Sequence, residues 1–325
     1  MTQTTPFAFS FPSIVGQTHA KNRLSFYLQG YERTLLFPHA IFIAPKGIGK
    51  TMFAREVATV LKRKVKDDGR EKSLIEINSS TLKSVRQFIE QIVMNYVHEK
   101  DCTLFFDEIH DLSPKVVSAL LTILNPNAEN RNDFRFGDMV FDFDFRRVTF
   151  LAATTERQRV FGPLLDRMTE IHLNEYNAEE VARIIRLNLA RGVEAKDDAL
   201  AEAAKYCRGN GRSAAIMGGF QGISNYCATT GKKVFTIDDV PQLVKILDLF
   251  PLGLSRMEVT MLQAIASKQA SSLTMLAAKS GLSKAAQMDI EKIFLKYGFI
   301  DIETGHGRSI TAAGQKYLKS IKSLL

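Results

Sequence analysis

The sequence lacks the main features of a secreted or membrane-spanning protein. No run of 18 apolar residues occurs, so no transmembrane helix is predicted. The N-terminal segment has neither a basic region nor a long apolar stretch, and we expect no secretory signal. Only three cysteines are present, Cys102, Cys207 and Cys227, and their spacing is not typical of a metal site. Their odd number indicates reduced thiols, and the sequence predicts a cytoplasmic protein.

The composition is otherwise ordinary for a globular protein, apart from an excess of basic residues. The chain has 325 residues, which is enough for two or three domains. Its net charge is +8, and residues 251–325 hold ten Lys and Arg against five Asp and Glu. This excess permits an anionic partner such as DNA, but charge alone fits a basic protein without such a partner equally well.

In the first half of the chain, short apolar runs alternate with helical patterns. The predicted strands are 39–44, 73–78, 102–108, 147–155 and 170–176. This alternation predicts an α/β fold with a parallel sheet and helices on both faces. Residues 133–145 alternate apolar and polar side chains around Gly137-Asp138, which predicts a β-hairpin inserted before the strand at 147–155.

The second half of the chain is mainly helical. Helical patterns fill 177–249, and further helical segments are followed by two short strands around Gly305 and Gly307. Helices followed by such a two-stranded wing are typical of a winged-helix DNA-binding module. We therefore predict a large α/β domain at 1–176, a small helical domain at 177–249 and a winged-helix domain at 250–325.

The segment IAPKGIGKT (43–51) resembles a phosphate-binding loop, but Ala44 replaces its usual first glycine. Such loops bind phosphates through backbone N–H groups at a helix N-terminus, while a lysine and a hydroxyl reach the phosphates and Mg²⁺. Lys50 and Thr51 occupy those two positions. Ala44 lies at the strand end, where a methyl group is acceptable if φ stays negative. Taken alone, the segment also fits a glycine-rich turn with a surface lysine.

A second motif, Asp107-Glu108, ends the predicted strand at 102–108. An aspartate at this position is suited to hold Mg²⁺, directly or through water, and the glutamate to polarise an attacking water. Acidic pairs at strand ends are common in isolation. Their occurrence after a phosphate loop, each motif on its own strand, favours a nucleotide-hydrolysing site.

Together these motifs resemble those of the AAA+ ATPases, and among them the RuvB family of Holliday-junction branch-migration motors. The resemblance spans about residues 11–320. The segments that carry it are SIVGQTHAKNRL (13–24), LFFDEIHDLSP (104–114), TFLAATTERQ (149–158), PLLDRMTEIH (163–172), GNGRSA (209–214) and LKYGFIDIETGHGRSITAAG (295–314).

The resemblance implies a role for each matching residue. Glu108 is the implied catalytic base, Thr155 the first sensor with Thr154 next in line, and Arg212 the second sensor on a helical lid. Arg167 is the implied arginine finger, which completes the site of a neighbouring subunit. The implied nucleotide-binding residues are Val15, Gly16, Pro45, Gly47, Ile48, Gly49, Lys50, Thr51, Asp107, Tyr176 and Arg212. The implied cofactors are ATP and Mg²⁺, with Thr51 and Asp107 at the metal, and the implied assembly is a hexameric ring.

Three features depart from the family pattern. Leu165 stands where RuvB proteins often have arginine, and Gly211 stands where they often have proline. The hairpin at 133–145 also differs in sequence. In RuvB this element meets the junction-binding protein RuvA, so the resemblance implies a RuvA-like partner, whose contact element is altered in this sequence.

Basic residues of the winged-helix segment are candidates for DNA contacts. Lys284, Lys292 and Lys296 fall on a predicted helix, and His306 and Arg308 fall at the predicted wing tip. Such side chains would mostly contact phosphates, with Arg308 also able to enter a groove. The alternative is that the module binds protein and that the lysines are simply solvated.

Three functions fit these observations. The first is an ATP-driven DNA motor for branch migration of four-way junctions. The second is a loader or initiator-type switch, in which ATP binding assembles a complex on DNA. A clamp loader is disfavoured because it would end in a helical collar. The third is a scaffold without turnover, which the presence of Lys50, Thr51, Asp107, Glu108 and Arg167 disfavours.

Overall fold

The computed structural model describes residues 9, 11–67, 72–267, 282–303 and 307–324. The chain forms two compact units, one of Met1–Glu180 with Asn210–Arg212 and one of Val181–Gly209 with Ser213–Leu325. The domain boundaries predicted at 176 and 249 stay predictions. Within the described residues, no helix has both the length and the apolar character needed to cross a bilayer.

The first unit is built on a five-stranded parallel sheet with the strand order β2-β3-β6-β1-β7. Its strands are β1 Ala40–Ile43, β2 Lys72–Asn78, β3 Asp101–Asp107, β6 Val148–Thr154 and β7 Thr169–His172. Strands β3 and β6 are buried along almost their whole length because both faces of a parallel sheet are covered. The predicted α/β class and all five predicted strands are confirmed.

Helices pack on this sheet through apolar side chains. The helices of the first unit are α1 Thr18–Thr34, α2 Lys50–Asp67, α3 Val85–Gln87, which continues as a π-helix over Phe88–Val97, α4 Pro114–Ile123 and α5 Gly162–Leu165. Phe42 of β1 stacks on Phe53 of α2 with ring centroids 6.0 Å apart. Phe106 and Phe150 stack between β3 and β6 at 6.4 Å. The contact between Phe42 and Phe53 fixes α2, and therefore the loop before it, against β1.

The segment around Gly137 forms the expected hairpin. Strands β4 (Arg131–Phe136) and β5 (Met139–Asp144) are antiparallel, with Phe136 opposite Met139. Phe141 and Phe143 are buried in the core of the unit, whereas Met139 and Val140 are 43% and 50% exposed. The hairpin therefore has an anchored base and an exposed apolar tip.

The elements after β7 are mainly helical. They are α6 Ala178–Leu187, β8 Glu194–Ala195, α7 Asp197–Ala204, α8 Gly211–Gly218, α9 Ile223–Thr230, β9 Val234–Phe235, α10 Val240–Ile246, β10 Leu249–Phe250, β11 Leu254–Ser255, α11 Arg256–Ala266, α12 Lys284–Lys296, β12 Ile300–Glu303, β13 Gly307–Ile310 and α13 Ala312–Ser320. Strands β12 and β13 pair antiparallel, which is the predicted wing.

Two local predictions differ from the structure, and one helix was not predicted. The pair Ser113-Pro114 predicts a helix that begins at Pro114 with Ser113 as its N-cap. Ser113 does precede α4, but its hydroxyl makes no capping bond and has no partner among the described residues. The helical pattern at 212–230 is divided into α8 and α9. Only glycine fits the position before α9, because a Cβ on Gly222 would collide with the Met217 backbone. Helix α13, after the wing, was not predicted. It buries Tyr317 against Phe299, with ring centroids 4.8 Å apart.

Candidate nucleotide site

The candidate phosphate loop connects β1 to α2 and has backbone geometry that only glycine adopts easily. Gly47 has φ +84° and Gly49 has φ +105°. Ala44 does not have positive φ, and its backbone N–H donates to the Thr154 carbonyl at 3.3 Å, which extends the β1–β6 pairing. The alanine therefore fits the strand end without strain, as the sequence argument requires.

Lys50 is the first residue of α2, and its side chain is buried beneath the loop. Its Nζ donates hydrogen bonds to the carbonyls of Ala44 at 3.0 Å and Pro45 at 3.3 Å. Burial lowers the pKa of Lys50, the acidic side chains of Glu108 and Asp107 oppose that change, and the positive charge of Arg212 adds to it. A desolvated ammonium held by neutral carbonyls fits an anionic ligand such as a phosphate group.

Asp107 is the last residue of β3 and Glu108 follows it, beside the loop. Burial raises the pKa of Asp107, the neighbouring charge of Glu108 raises it further, and Lys50 opposes the rise. A cation bound beside Asp107 would favour its charged carboxylate. The Thr51 hydroxyl, at the start of α2, is a second oxygen that could coordinate such a cation. Asp107 and Thr51 therefore fit Mg²⁺ that arrives with a nucleotide. No group of three or more His, Cys, Asp or Glu that could hold a metal is found in the described part of the chain.

Glu108 has left-handed backbone geometry, with φ +49°, and its carboxylate is directed to the end of the neighbouring strand β6. Its Oε2 accepts hydrogen bonds from the Thr155 backbone N–H at 3.0 Å and from the Thr155 hydroxyl at 3.1 Å. The predicted base and the predicted first sensor are therefore in direct contact.

His110 also belongs to this group, although the sequence analysis did not identify it. Its Nδ1 lies 2.8 Å from the Thr154 hydroxyl and 3.4 Å from Glu108 Oε2, and its side chain is only 5% exposed. Its position two residues after Glu108, in the segment DEIH, was the available signal. The histidine links the ends of β3 and β6 on the side of the carboxylate.

The segment Asn210–Arg212 lies against the phosphate loop. Arg212 N–H donates to the Gly47 carbonyl at 3.0 Å, and Asn210 Nδ2 donates to the Lys46 carbonyl at 2.6 Å. A Cβ on Gly211 would lie 2.9 Å from the Tyr176 ring, so this position has no room for the proline that RuvB proteins often have. Asn210 is a second residue that the sequence analysis missed.

Tyr176 and the segment at Val15–Gly16 complete the surroundings of the loop. The Tyr176 hydroxyl donates to the Ile48 carbonyl at 2.8 Å, and burial raises the pKa of this phenol. Next to Val15 and Gly16, Gln17 exchanges two hydrogen bonds with the Asn174 backbone, at 2.6 and 3.0 Å. The first unit thus brings the predicted nucleotide-binding segments to one end of β1, although their contacts with a nucleotide remain predictions.

Arg167 follows α5, and its guanidinium donates hydrogen bonds to residues near α4 and α5 rather than to the phosphate loop. Its Nη1 donates to the Pro163 carbonyl at 2.8 Å and its Nη2 to Asn125 Oδ1 at 3.2 Å. Leu165, two residues earlier, is buried in the core of the unit. The action of Arg167 on another subunit stays a prediction.

The candidate DNA-binding residues of the second unit differ in their environment. Lys284, Lys292 and Lys296 are exposed on α12, within about 120° of its circumference. His306 lies outside the described residues. Arg308 lies beside the wing turn, as the sequence predicts, but its side chain is paired within the protein, and a DNA contact by this residue stays a prediction. Arg308 lies within β13, and its guanidinium bonds both carboxylate oxygens of the buried Glu291, at 2.5 and 3.1 Å.

Comparison with known proteins agrees with this geometry. Residues 40–176 match the ATPase family associated with various cellular activities (AAA), and residues 251–319 match the RuvB C-terminal winged helix domain. The RuvB subunit of the Holliday junction branch migration complex from Campylobacter hominis is 25% identical, over 97% of this chain and 92% of its own length. The Campylobacter fetus protein of the same name is 26% identical, over 93% of this chain and 85% of its own.

Solved structures share the fold. The Thermotoga maritima RuvB Holliday junction branch migration motor superposes with a TM-score of 0.75 at 23% identity, over 94% of this chain and 95% of its own. The ORC2 protein of Aeropyrum pernix, solved as ADPNP-ADP complexes, reaches a TM-score of 0.56 at 14% identity, over 94% and 93%. The fold is therefore shared over nearly the whole length of the chain.

Proposed function

Because the chain belongs to the AAA ATPase family and ends in a RuvB-type winged helix domain, we propose that it is an ATP-driven motor for Holliday-junction branch migration. The observation that carries the proposal is the set formed by Lys50, Asp107, Glu108 and Thr155 at adjoining ends of β1, β3 and β6. The named relatives are subunits of a branch migration complex, and the similarity to them extends over nearly the whole chain.

In this proposal the loop residues hold the phosphates of ATP. The N–H groups at the start of α2 and the Lys50 ammonium neutralise phosphate charge, while Thr51 and Asp107 hold Mg²⁺. Bound Mg²⁺ supplies charge neutralisation at the phosphate oxygens. Glu108 orients the attacking water and accepts its proton, and Thr155 holds the carboxylate of Glu108 through two hydrogen bonds.

Turnover also requires a neighbouring subunit. Arg167 stabilises the charge that develops on the transferred phosphoryl group in the neighbour's site. Each subunit then depends on the next, which a ring or an open spiral of subunits satisfies, and we propose a hexameric ring. Arg212 responds to the γ-phosphate, which is consistent with its position beside Gly47 and its effect on the pKa of Lys50.

The proposed partner is DNA, contacted mainly at phosphates by Lys284, Lys292 and Lys296. The anchored hairpin with exposed Met139 and Val140 is the proposed contact for a RuvA-like targeting protein. Its apolar tip supports this assignment, because exposed apolar groups on a protruding element favour protein contacts over contacts with DNA.

A loader or initiator-type switch remains the second candidate, because the Aeropyrum pernix ORC2 protein has the same overall fold. The two functions differ in what hydrolysis achieves. A motor separates the arms of a junction over many turnovers, whereas a switch binds or releases DNA once for each ATP. Strand movement therefore distinguishes them.

The test is steady-state ATP turnover without DNA, with linear duplex and with a four-way junction, using Glu108→Gln as the blank. The motor predicts turnover above the blank that rises with junction DNA, together with dissociation of the junction into duplex products. DNA-stimulated turnover without dissociation would favour the switch. Turnover equal to the blank, at concentrations where rings form, would contradict both and favour the scaffold.

A further inference from the structure

Three asparagines link Arg167 to the base of the hairpin. They are Asn125 just after α4, Asn127 in the following turn and Asn132 in β4, and we refer to them as the asparagine cluster. Asn125 Oδ1 accepts a hydrogen bond from Arg167 Nη2 at 3.2 Å. No part of the function described so far uses this cluster.

The cluster is held together by side-chain amides that bond backbone carbonyls. Asn132 Nδ2 donates to the carbonyls of Ile123 at 2.8 Å and Asn125 at 2.7 Å, which lie at the C-terminal end of α4. Asn127 Nδ2 donates to Asn132 Oδ1 at 2.7 Å and to the Arg131 carbonyl at 2.9 Å. The residue that holds Arg167 is therefore bonded directly to the first strand of the hairpin.

These contacts use only some of the hydrogen-bond donors of Arg167. Its guanidinium has five N–H donors, and the structure uses Nη1 for Pro163 and Nη2 for Asn125. Its Nε is buried and has no hydrogen-bond partner among the described residues. An arginine side chain is long and has many rotamers, so two hydrogen bonds that restrict it increase the fraction of time spent in one orientation.

We propose that Asn125 is a positioning residue for Arg167. Through the asparagine cluster, the base of the hairpin then holds the arginine finger in place. This proposal rests on the proposed action of Arg167 in a neighbouring site. It implies that a displacement of the hairpin, for example by a bound partner protein, changes ATP turnover in the adjacent subunit. Asn125 itself touches no reacting atom.

The test uses rings assembled from two inactive variants. Arg167→Ala subunits retain a complete site of their own but provide no finger. Glu108→Gln subunits provide a finger but cannot hydrolyse ATP. Mixing the two should restore turnover, because an Arg167→Ala site then receives the finger of a Glu108→Gln neighbour.

Asn125→Ala is then placed on one subunit type at a time. On the Glu108→Gln subunit, which donates the finger, it should lower the restored turnover about tenfold, as expected for loss of one hydrogen bond to a charged group. The loss should appear in kcat and leave KM for ATP unchanged, because the acceptor site is intact. On the Arg167→Ala subunit the same change removes no contact to a finger and should have little effect.

Two further donor variants separate positioning from folding. Asn125→Asp keeps an acceptor oxygen for Nη2 and should retain most of the restored turnover. Asn132→Ala leaves Asn125 in place but removes its link to the hairpin, and should lower restored turnover as Asn125→Ala does. Ring assembly of each variant is checked by light scattering.

The outcomes distinguish this proposal from the proposed function. If the simple mixture restores no turnover although mixed rings form, Arg167 does not act in trans, and both proposals are overturned. If the mixture restores turnover and Asn125→Ala on the donor has no effect, only the positioning proposal is overturned. Equal losses on donor and acceptor would show that Asn125 has a structural role alone.

Discussion

Glu108 and Thr155 are joined by two hydrogen bonds, from the Thr155 backbone N–H at 3.0 Å and from its hydroxyl at 3.1 Å, both to Oε2 of the carboxylate. The contact exists because β3 and β6 are neighbours in the sheet, with Phe106 in register with Ala152, so that the residues after both strands meet. The proposed base is therefore oriented by the strand that carries the proposed sensor.

This relationship predicts the effect of Thr155→Val. Valine keeps the backbone N–H and the branched shape but lacks the hydroxyl, so Glu108 loses one of its two orienting bonds. We expect kcat for ATP hydrolysis to fall about tenfold, which corresponds to one hydrogen bond to a charged acceptor, with nucleotide affinity nearly unchanged. The measurement is steady-state turnover together with titration of a fluorescent ADP analogue.

Thr155→Ser is the control and should stay close to wild type. Equal losses for Val and Ser would contradict a role for the hydroxyl.

A second prediction concerns the pH dependence of stability and follows from His39. Burial lowers the pKa of His39 to about 3, with a smaller contribution from the positive charge of Lys72. Its ring packs edge-on against Phe145 and Phe150, and Nδ1 accepts from the Phe150 N–H at 3.3 Å. The imidazole is therefore neutral in the folded protein at neutral and mildly acidic pH.

The sign of the effect follows from proton linkage. The unfolded chain binds a proton at His39 below its ordinary pKa of 6.5, and the folded chain does so only near 3. Stability is therefore fully present above pH 6.5 and is lost as the pH falls towards 3, by about 1.4 kcal/mol per pH unit from this group.

The matched variant is His39→Asn, whose amide oxygen can accept the Phe150 N–H but does not titrate. Free energies of unfolding from urea titrations, at about pH 7.5 and about pH 5, should fall less for the variant than for wild type. If both proteins lose the same free energy between these pH values, His39 is not the group responsible.

The sequence predicts those parts of the site that are local in the chain. The loop at 43–51 and the acidic pair at 107–108 each lie within a few residues, and apolar runs mark the strands that position them. The hairpin was equally visible, since alternation around Gly137-Asp138 is a short-range signal. These features depend on local patterns that tertiary contacts do not override.

Contacts between distant segments could not be predicted in the same way. Glu108 meets Thr155 across 47 positions because of the strand order, which no local pattern specifies. The position of Arg308 near the wing turn was visible in the sequence, but its ion pair with Glu291, 17 positions earlier, was not. Asn125 and Arg167 are 42 positions apart, and no sequence pattern around either residue predicts that they are hydrogen-bonded.

A third prediction concerns the second unit, where Arg208 joins the segment after α7 to the start of α11. Its guanidinium bonds both carboxylate oxygens of Glu258, at 2.8 and 2.6 Å, and the Gly253 carbonyl. The two side chains are only 22% and 10% exposed. Glu258 in turn accepts from Ser255 N–H at 2.7 Å, in the capping box of α11.

Arg208→Met should destabilise this unit by about 2–4 kcal/mol, because it leaves a partly buried carboxylate and a carbonyl without their donor. Arg208→Lys is the control. It keeps the charge but cannot bond both carboxylate oxygens in parallel, so an intermediate loss is expected. The measurement is the free energy of unfolding from urea titration. A change below about 0.5 kcal/mol for Arg208→Met would mean that the ion pair is not structurally important.

The final prediction separates the basic residues of the winged-helix segment by their environment. Lys284 and Lys296 are exposed, whereas Arg308 is 16% exposed and paired with Glu291. If α12 contacts DNA phosphates, Lys284→Ala and Lys296→Ala should each weaken junction binding and reduce the slope of log K against log salt by about 0.9 per contacting subunit. Arg308→Ala should instead lower the thermal stability of the unit, because it leaves Glu291 buried without its partner.

Binding is measured by fluorescence anisotropy at several salt concentrations, and stability by thermal unfolding. Two lysine variants with wild-type slopes would exclude α12 from the DNA contact, whereas a lower slope for a fully folded Arg308→Ala would show that Arg308 leaves Glu291 to bind DNA.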